Sequence, residues 1–180
     1  MRHIWPLLAL FSLLTFLHAD PTHLRCYTLP YESKEALRAM VKTIDGARYR
    51  IDAAIYSFTH KTIAKRLVNA AKRGVKVRIV FDRSSNLKNQ KSQLGYLAKY
   101  RNIQTLLLEG RPYRKKGSER ALMHMKVMIV DNRRIVTGSA NWTYSAFGKN
   151  YEILCLIDDY ALAKRLERSF ERMVREAKPY

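Results

Sequence analysis

Within eighteen residues the chain reads His124-Met125-Lys126, then Asp131, then Gly138-Ser139-Ala140-Asn141, a spacing of H-x-K-x4-D-x6-G-S-x-N. The run Val127-Met128-Ile129-Val130 is apolar and partly β-branched, so the window predicts a strand that carries His124 and Lys126. Strand side chains alternate between faces, which puts these two on one face, roughly 7 Å apart along it. Asp131-Asn132-Arg133 reads as a tight turn into a second strand over Arg134 to Thr137. An imidazole beside an ammonium is a poor way to build a core, and a good way to attack and hold a phosphate.

The rest of the chain supplies the layers for such a hairpin. Leu24 to Leu29 predicts a short strand, and Ser33 to about Asp45 a helix with Leu37, Met40, Val41 and Ile44 on one face. Tyr49 to Phe58 predicts a strand, Lys61 to Arg73 a helix ended by Gly74, and Val75 to Asp82 a strand. A helix containing Leu94 and Leu97, a strand over Ile103 to Leu108, a last strand over Tyr151 to Ile157 and a charged amphipathic helix from Asp159 to about Ala177 follow. The alternation of strand and helix argues for parallel crossovers, and the hairpin for an antiparallel part. The expected fold is an α/β/α layered sandwich with a mixed central sheet, one domain per chain.

The motif is complete and in order, and on it the chain resembles the phospholipase D superfamily, in particular its one-motif bacterial branch, the Nuc-type endonucleases. Ile51 to Phe58, Lys72 to Val80 and Glu152 also read like that family, so the resemblance covers most of the chain from about Leu24. It implies a phospholipase D-like fold and phosphodiester hydrolysis through a phosphohistidine, without metal or other cofactor. His124 would be the nucleophile, Lys126 a point charge on the phosphate, and Asn141 and Ser139 donors to its oxygens. Glu152 would bond the other ring nitrogen of the histidine. Asp131 belongs to the motif, but its place at the turn suggests a supporting ion pair or turn hydrogen bond. The leaving oxygen needs an acid, and no other histidine has comparable surroundings: His18, His23 and His60 are scattered and read as signal, linker and loop residues. The resemblance therefore implies a homodimer with one composite active site on the two-fold, the second His124 acting as acid and then as base. Taken singly, each of these residues is more often structural or solvated; their joint spacing is what favours chemistry.

The N-terminus has a positive start, Met1-Arg2-His3, an apolar stretch from Ile4 to Leu17, and Ala19 before Asp20-Pro21. That is secretory-signal architecture, so residues 1–19 are expected to be a signal peptide or an uncleaved membrane anchor, with 20–180 the exported domain, periplasmic or membrane-associated. Cys26 and Cys155 lie in strand-like runs; they are either one disulfide or two small buried hydrophobes, and too few for a zinc site.

The formal charge is +19 over 180 residues. Such an excess calls for a polyanionic partner, nucleic acid or an anionic membrane. Before the motif lies Arg111-Pro112-Tyr113-Arg114-Lys115-Lys116-Gly117-Ser118-Glu119-Arg120, and after it come Trp142, Tyr144, Phe147 and Lys149. Cations neutralise phosphates and aromatic faces stack bases, so Arg111, Arg114, Lys115, Lys116, Arg120, Trp142 and Tyr144 are candidate nucleic-acid contacts. For Trp142 and Phe147, burial in the core or the dimer interface is as much expected as stacking on bases. The expected function is a sequence-nonspecific, metal-independent endonuclease on DNA, which the interleaved aromatics lean toward single strands, with RNA as a further substrate. The alternative is a lipid phosphodiesterase or transphosphatidylase with the same chemistry.

Overall fold

The computed structural model describes residues 23–112 and 121–180. Its eight strands and six helices alternate along the chain as β1 (His23–Leu29), α1 (Ser33–Asp45), β2 (Arg50–Ile55), α2 (Lys61–Lys72), β3 (Lys76–Asp82), α3 (Arg83–Asn86), α4 (Leu94–Leu97), β4 (Ile103–Leu108), β5 (Lys126–Val130), β6 (Arg134–Gly138), α5 (Tyr144–Gly148), β7 (Glu152–Asp158), α6 (Tyr160–Glu176) and β8 (Lys178–Pro179). One mixed sheet runs β1-β7-β6-β5-β2-β3-β4-β8. β2, β3 and β4 are parallel neighbours, and every other pair is antiparallel. The layered α/β/α expectation holds.

Helices α1 and α2 cover one face, burying Met40, Ile44, Ile63 and Leu67 against Ile51, Ala53, Ile79 and Met128. Helix α6 covers the other, setting Ala163 and Phe170 over Ala54, Val80 and Ile129. That double cover explains why β2 and β5 are buried along nearly their whole length rather than at alternate residues. The Asp159 carboxylate accepts from the Leu162 backbone N–H at 2.8 Å and caps α6.

One crossover differs from the expectation. β1, α1 and β2 follow in sequence, yet β1 lies at the sheet edge beside β7, with β7, β6 and β5 between it and β2. The register sets Cys26 opposite Cys155, and the two form a disulfide. Of the two readings open for the cysteines, the covalent one is realised.

Asp52, fully buried in β2, accepts from Arg78 Nε and Nη2 at 2.7 and 2.8 Å and lies 3.2 Å from Arg50. Arg78 and Arg50 in turn reach Glu171 and Glu167 of α6, each at 2.7 Å. An ion cluster thus sits between the sheet and α6. The signal or anchor expected over residues 1–19 lies outside the described residues. Among these, no helix is long and apolar enough to cross a membrane.

Candidate active site

The functional residues gather at one edge, where the parallel strands β2 and β3 end and β5 begins. Loops at this edge are free of the ladder and can present side chains outward. Asp82 closes β3, nearly fully buried, and its carboxylate accepts from Ser84 Oγ at 2.6 Å, Ser85 N–H at 2.8 Å and Met123 N–H at 3.0 Å. Tyr56, just past β2, donates its N–H to the Met125 carbonyl at 2.9 Å. Both neighbours of His124 are therefore pinned from beneath, and the imidazole between them is exposed. The regular strand begins only at Lys126, so His124 stands on its extended approach rather than within it.

Lys126 is buried, and its ammonium curls back toward His124. Nζ lies 3.1 Å from Nδ1 and 3.2 Å from Nε2, and donates to the His124 carbonyl at 2.9 Å. The Tyr56 ring completes the pocket, 5.0 Å from Nζ and 4.5 Å from the imidazole, centroid to centroid. Burial lowers the Lys126 pKa from its ordinary value, although the Glu152 and Asp82 carboxylates pull it upward. A phosphate arriving beside His124 would meet a partly desolvated cation, which binds it more strongly than a hydrated one.

The loop after β6 brings the other motif residues to the same edge. Gly138 has φ 149°, and a Cβ there would collide with the Ile153 carbonyl, so only glycine lets β6 pass β7 so closely. Ser139 Oγ donates to Glu152 Oε2 and accepts from the Ile153 N–H at 3.1 Å, while Asn150 reaches the other Glu152 oxygen at 3.4 Å. Glu152 therefore orders the Ser139 loop; no hydrogen bond to His124 appears among the described residues. Asn141 is half-buried, and its Oδ1 is buried with no hydrogen-bond partner among the described residues. A polar atom kept in that state is a mark of a site that serves a ligand. The loop is tied to β2's extension by Trp142 N–H to Ser57 O at 3.0 Å and by Thr59 and His60 N–H to Trp142 O, both at 2.9 Å.

Several expectations change. Asp131 lies at the far end of β5, about 17 Å from Lys126 at strand rise, and takes no part in the site. Its carboxylate accepts from the backbone N–H groups of Arg48, Tyr49 and Arg50 at 2.9–3.0 Å, the supporting role its turn position suggests. Trp142 is not a substrate contact: only 1% exposed, it packs edge-on against Phe58 in the core. Tyr144 is 53% exposed and stacks on His60, 4.2 Å between centroids. His60, read from sequence as an incidental loop residue, is buried at the start of α2, and that burial lowers its pKa. Arg111 is exposed, whereas Arg114, Lys115, Lys116 and Arg120 lie outside the described residues.

Tyr56, Asp82 and Asn86 were missed as supports of the site. The Asn86 amide donates to the Tyr56 and Asp82 carbonyls at 2.7 and 2.8 Å. Asp82-Arg-Ser-Ser carried a signal, since an aspartate ending a strand before two serines is a helix-cap pattern. Among the described residues no group of three or more His, Cys, Asp or Glu could hold a metal ion.

An α/β/α sheet bearing a His–Lys pair and an Asn loop at one edge defines a phosphodiesterase architecture. A family model described as cardiolipin synthase, PLD-like domain, matches residues 40–174. The chain belongs to the phospholipase D superfamily, and the structures it matches set it with the one-motif branch. It is similar to the structure of NucT from Helicobacter pylori, at 36% identity and TM-score 0.86, over 89% of this chain and 100% of that one. The phospholipase D family member Nuc from Salmonella typhimurium is 30% identical, with TM-score 0.74, over 89% and 99%. Among curated proteins, a phospholipase D of Rickettsia prowazekii is 34% identical over 151 residues, 82% of this chain and 65% of that protein. The mitochondrial cardiolipin hydrolase of Xenopus laevis is 29% identical over 151 residues, 84% and 66%. The chain thus spans just under two thirds of these two relatives.

Proposed function

We propose that this chain is an endonuclease that hydrolyses phosphodiester bonds of DNA without sequence preference or metal, at a site completed by a second copy of itself. The observation that carries the reading is the likeness to NucT and Nuc over the whole of those chains, at 36% and 30% identity. The net charge of +19 supports it, since a compact domain gains nothing in fold from such repulsion.

In this reading an unprotonated ring nitrogen of His124 attacks phosphorus, and the P–O bond to the leaving oxygen breaks. The His124 imidazolium of the second copy gives its proton to that oxygen. The same imidazole then takes a proton from water, whose oxygen attacks the phosphohistidine and frees His124. Lys126 and Asn141 hold the non-bridging oxygens as charge builds on them, and Tyr56 and Asp82 keep His124 and Lys126 in place. A single chain has one His124 and so half of this acid–base pair. Export, by signal peptide or anchor, places the enzyme in the cell envelope.

A second reading, a lipid phosphodiesterase, draws on the phospholipase D and cardiolipin hydrolase relatives. The test is to incubate the purified dimer with plasmid, single- and double-stranded oligonucleotides, RNA, and vesicles of phosphatidylcholine with cardiolipin, all in EDTA, with His124→Ala in parallel. Cutting of DNA that is lost in His124→Ala is expected. Lipid headgroup or phosphatidate release with no cutting would overturn the nuclease reading, and a monomer with full activity would overturn the shared site.

A further inference from the structure

From Ala53 to Leu108 the chain carries twelve lysines and arginines and one acid, Asp82. That acid is nearly fully buried and occupied by Ser84, Ser85 and Met123, so it neutralises nothing on the surface. Part of the cationic excess is spent internally: Arg66 pairs with Asp45, Arg78 with Asp52 and Glu171, and Arg83 with Glu109. Lys61, Lys65 and Lys99 are different. They are exposed, and none makes an ion pair among the described residues. Together they line a groove of about 450 Å³, Lys61 and Lys65 on α2 and Lys99 on the facing wall, with Ser92, Gln93 and Tyr96 between them.

Two features say that Lys61 and Lys65 do not serve the fold. Lys61 stands in the first turn of α2, where the helix dipole is positive, and that turn has no acid and no side-chain cap. Lys61 and Lys65 are also like charges four residues apart on one helix, a destabilising pair. An anion lying in the groove removes both penalties. One end of the groove adjoins the active-site edge, because α2 starts at Lys61, just after β2 ends there. Its floor is tied there by Gln93, whose N–H donates to Phe58 O at 2.9 Å and whose side chain donates to Thr59 O at 3.4 Å. Thr59 and His60 bond in turn to Trp142 O, one residue beyond Asn141.

Resting on the nuclease reading, we propose that the groove between α2 and the Gln90–Lys99 segment is the track for the substrate's backbone phosphates beyond the bond that is cut, with Lys61, Lys65 and Lys99 as its contacts. A nucleic-acid strand suits this shape better than a membrane does. The lysines face each other across a concave surface that a strand can enter, whereas a flat bilayer reaches only the rim.

The test measures binding of a fluorescent single-stranded 30-mer in the non-cutting His124→Ala protein, by anisotropy across salt concentrations. The groove triple Lys61→Gln, Lys65→Gln, Lys99→Gln is compared with Lys42→Gln, Lys72→Gln, Lys76→Gln, three exposed lysines at the opposite edge. Each phosphate contact on a single strand contributes about 0.7 to the salt slope, so the groove triple should lower the slope by about 2 and weaken binding about 100-fold near 0.1 M salt. The matched triple loses the same net charge and should change affinity only a few-fold. Equal losses in both triples, with wild type still cutting DNA, overturn the groove alone. Failure of the wild-type chain to cut any nucleic acid overturns the nuclease reading and the groove with it. Loss of binding to phosphatidylcholine–cardiolipin vesicles, with 30-mer affinity intact, reassigns the groove to a membrane and also overturns the proposal. Should the triple not fold, Lys65→Gln alone, on the exposed side of mid-α2, should weaken binding about fivefold.

Discussion

The disulfide offers a perturbation whose size follows from the topology. Cys26 and Cys155 are 129 residues apart in sequence, and they join the edge strand β1 to β7. Cross-linking removes loop-closure entropy from the unfolded chain, and for a loop of this length the entropic model gives about 5 kcal/mol. Residual structure in the unfolded state lowers what is realised, so 2–5 kcal/mol is the working range. For a domain of this size each kcal/mol moves Tm by roughly 3 °C, so Cys26→Ser with Cys155→Ser should lower Tm by about 6–15 °C. The assay is thermal and guanidinium unfolding of oxidised protein, reduced protein and the double variant, with thiol titration alongside. Oxidised protein should show no free thiol, and reduced protein should melt with the double variant. Activity well below the transition should persist, because β7 keeps its ladder to β6. Two titratable thiols in oxidised protein would show that the disulfide does not form, and a Tm shift under about 2 °C that it does not constrain the unfolded chain.

Three further outcomes follow. Asp131→Ala strips the acceptor from three backbone N–H groups and should cost about 2–4 kcal/mol of stability while leaving kcat within about twofold, read by unfolding and steady-state kinetics. Burial pushes the Asp131 carboxyl up, but those N–H donors and Arg134 outweigh it and hold it below its ordinary value, so its stabilisation should be full above about pH 4 and fade as pH falls further. Burial, with Asp52 nearby, raises Glu167 to about 7 from 4.5 against the pull of Arg50; the folded chain then keeps a proton that the unfolded one releases. Stability should therefore decline as pH rises from about 4.5 to about 7, and Glu167→Gln should flatten that decline in a pH series of melts. Lys126→Met should lower kcat/KM for a phosphodiester by about 100- to 1,000-fold, and Lys126→Arg should not restore it, because a planar fork does not fit the space between Tyr56 and His124.

The sequence alone was enough to place every long strand and helix, because α1, α2 and α6 each keep an apolar stripe and the strands are bounded by Gly, Pro or turn residues. It also singled out His124, Lys126, Ser139 and Asn141, since their spacing is a local property of β5, β6 and the turn and loop around them, while Glu152 at the start of β7 holds Ser139 rather than His124. It could not place β1 at the edge beside β7, because pairing across 129 residues leaves no local trace. Nor could it separate Trp142 from Tyr144: both are aromatics after the motif, and only packing buried the first against Phe58 and left the second over His60. Asp131 shared the motif's spacing with the site residues, but a strand of five residues carries it to the opposite edge. The supports Tyr56, Asp82 and Asn86 lie 38 to 68 residues before His124, and only the parallel order of β2 and β3 beside β5 brings them beneath it. The chemistry of the site was thus local and readable, whereas its support, its burial and the groove beside it are long-range contacts that exist only once the sheet has assembled.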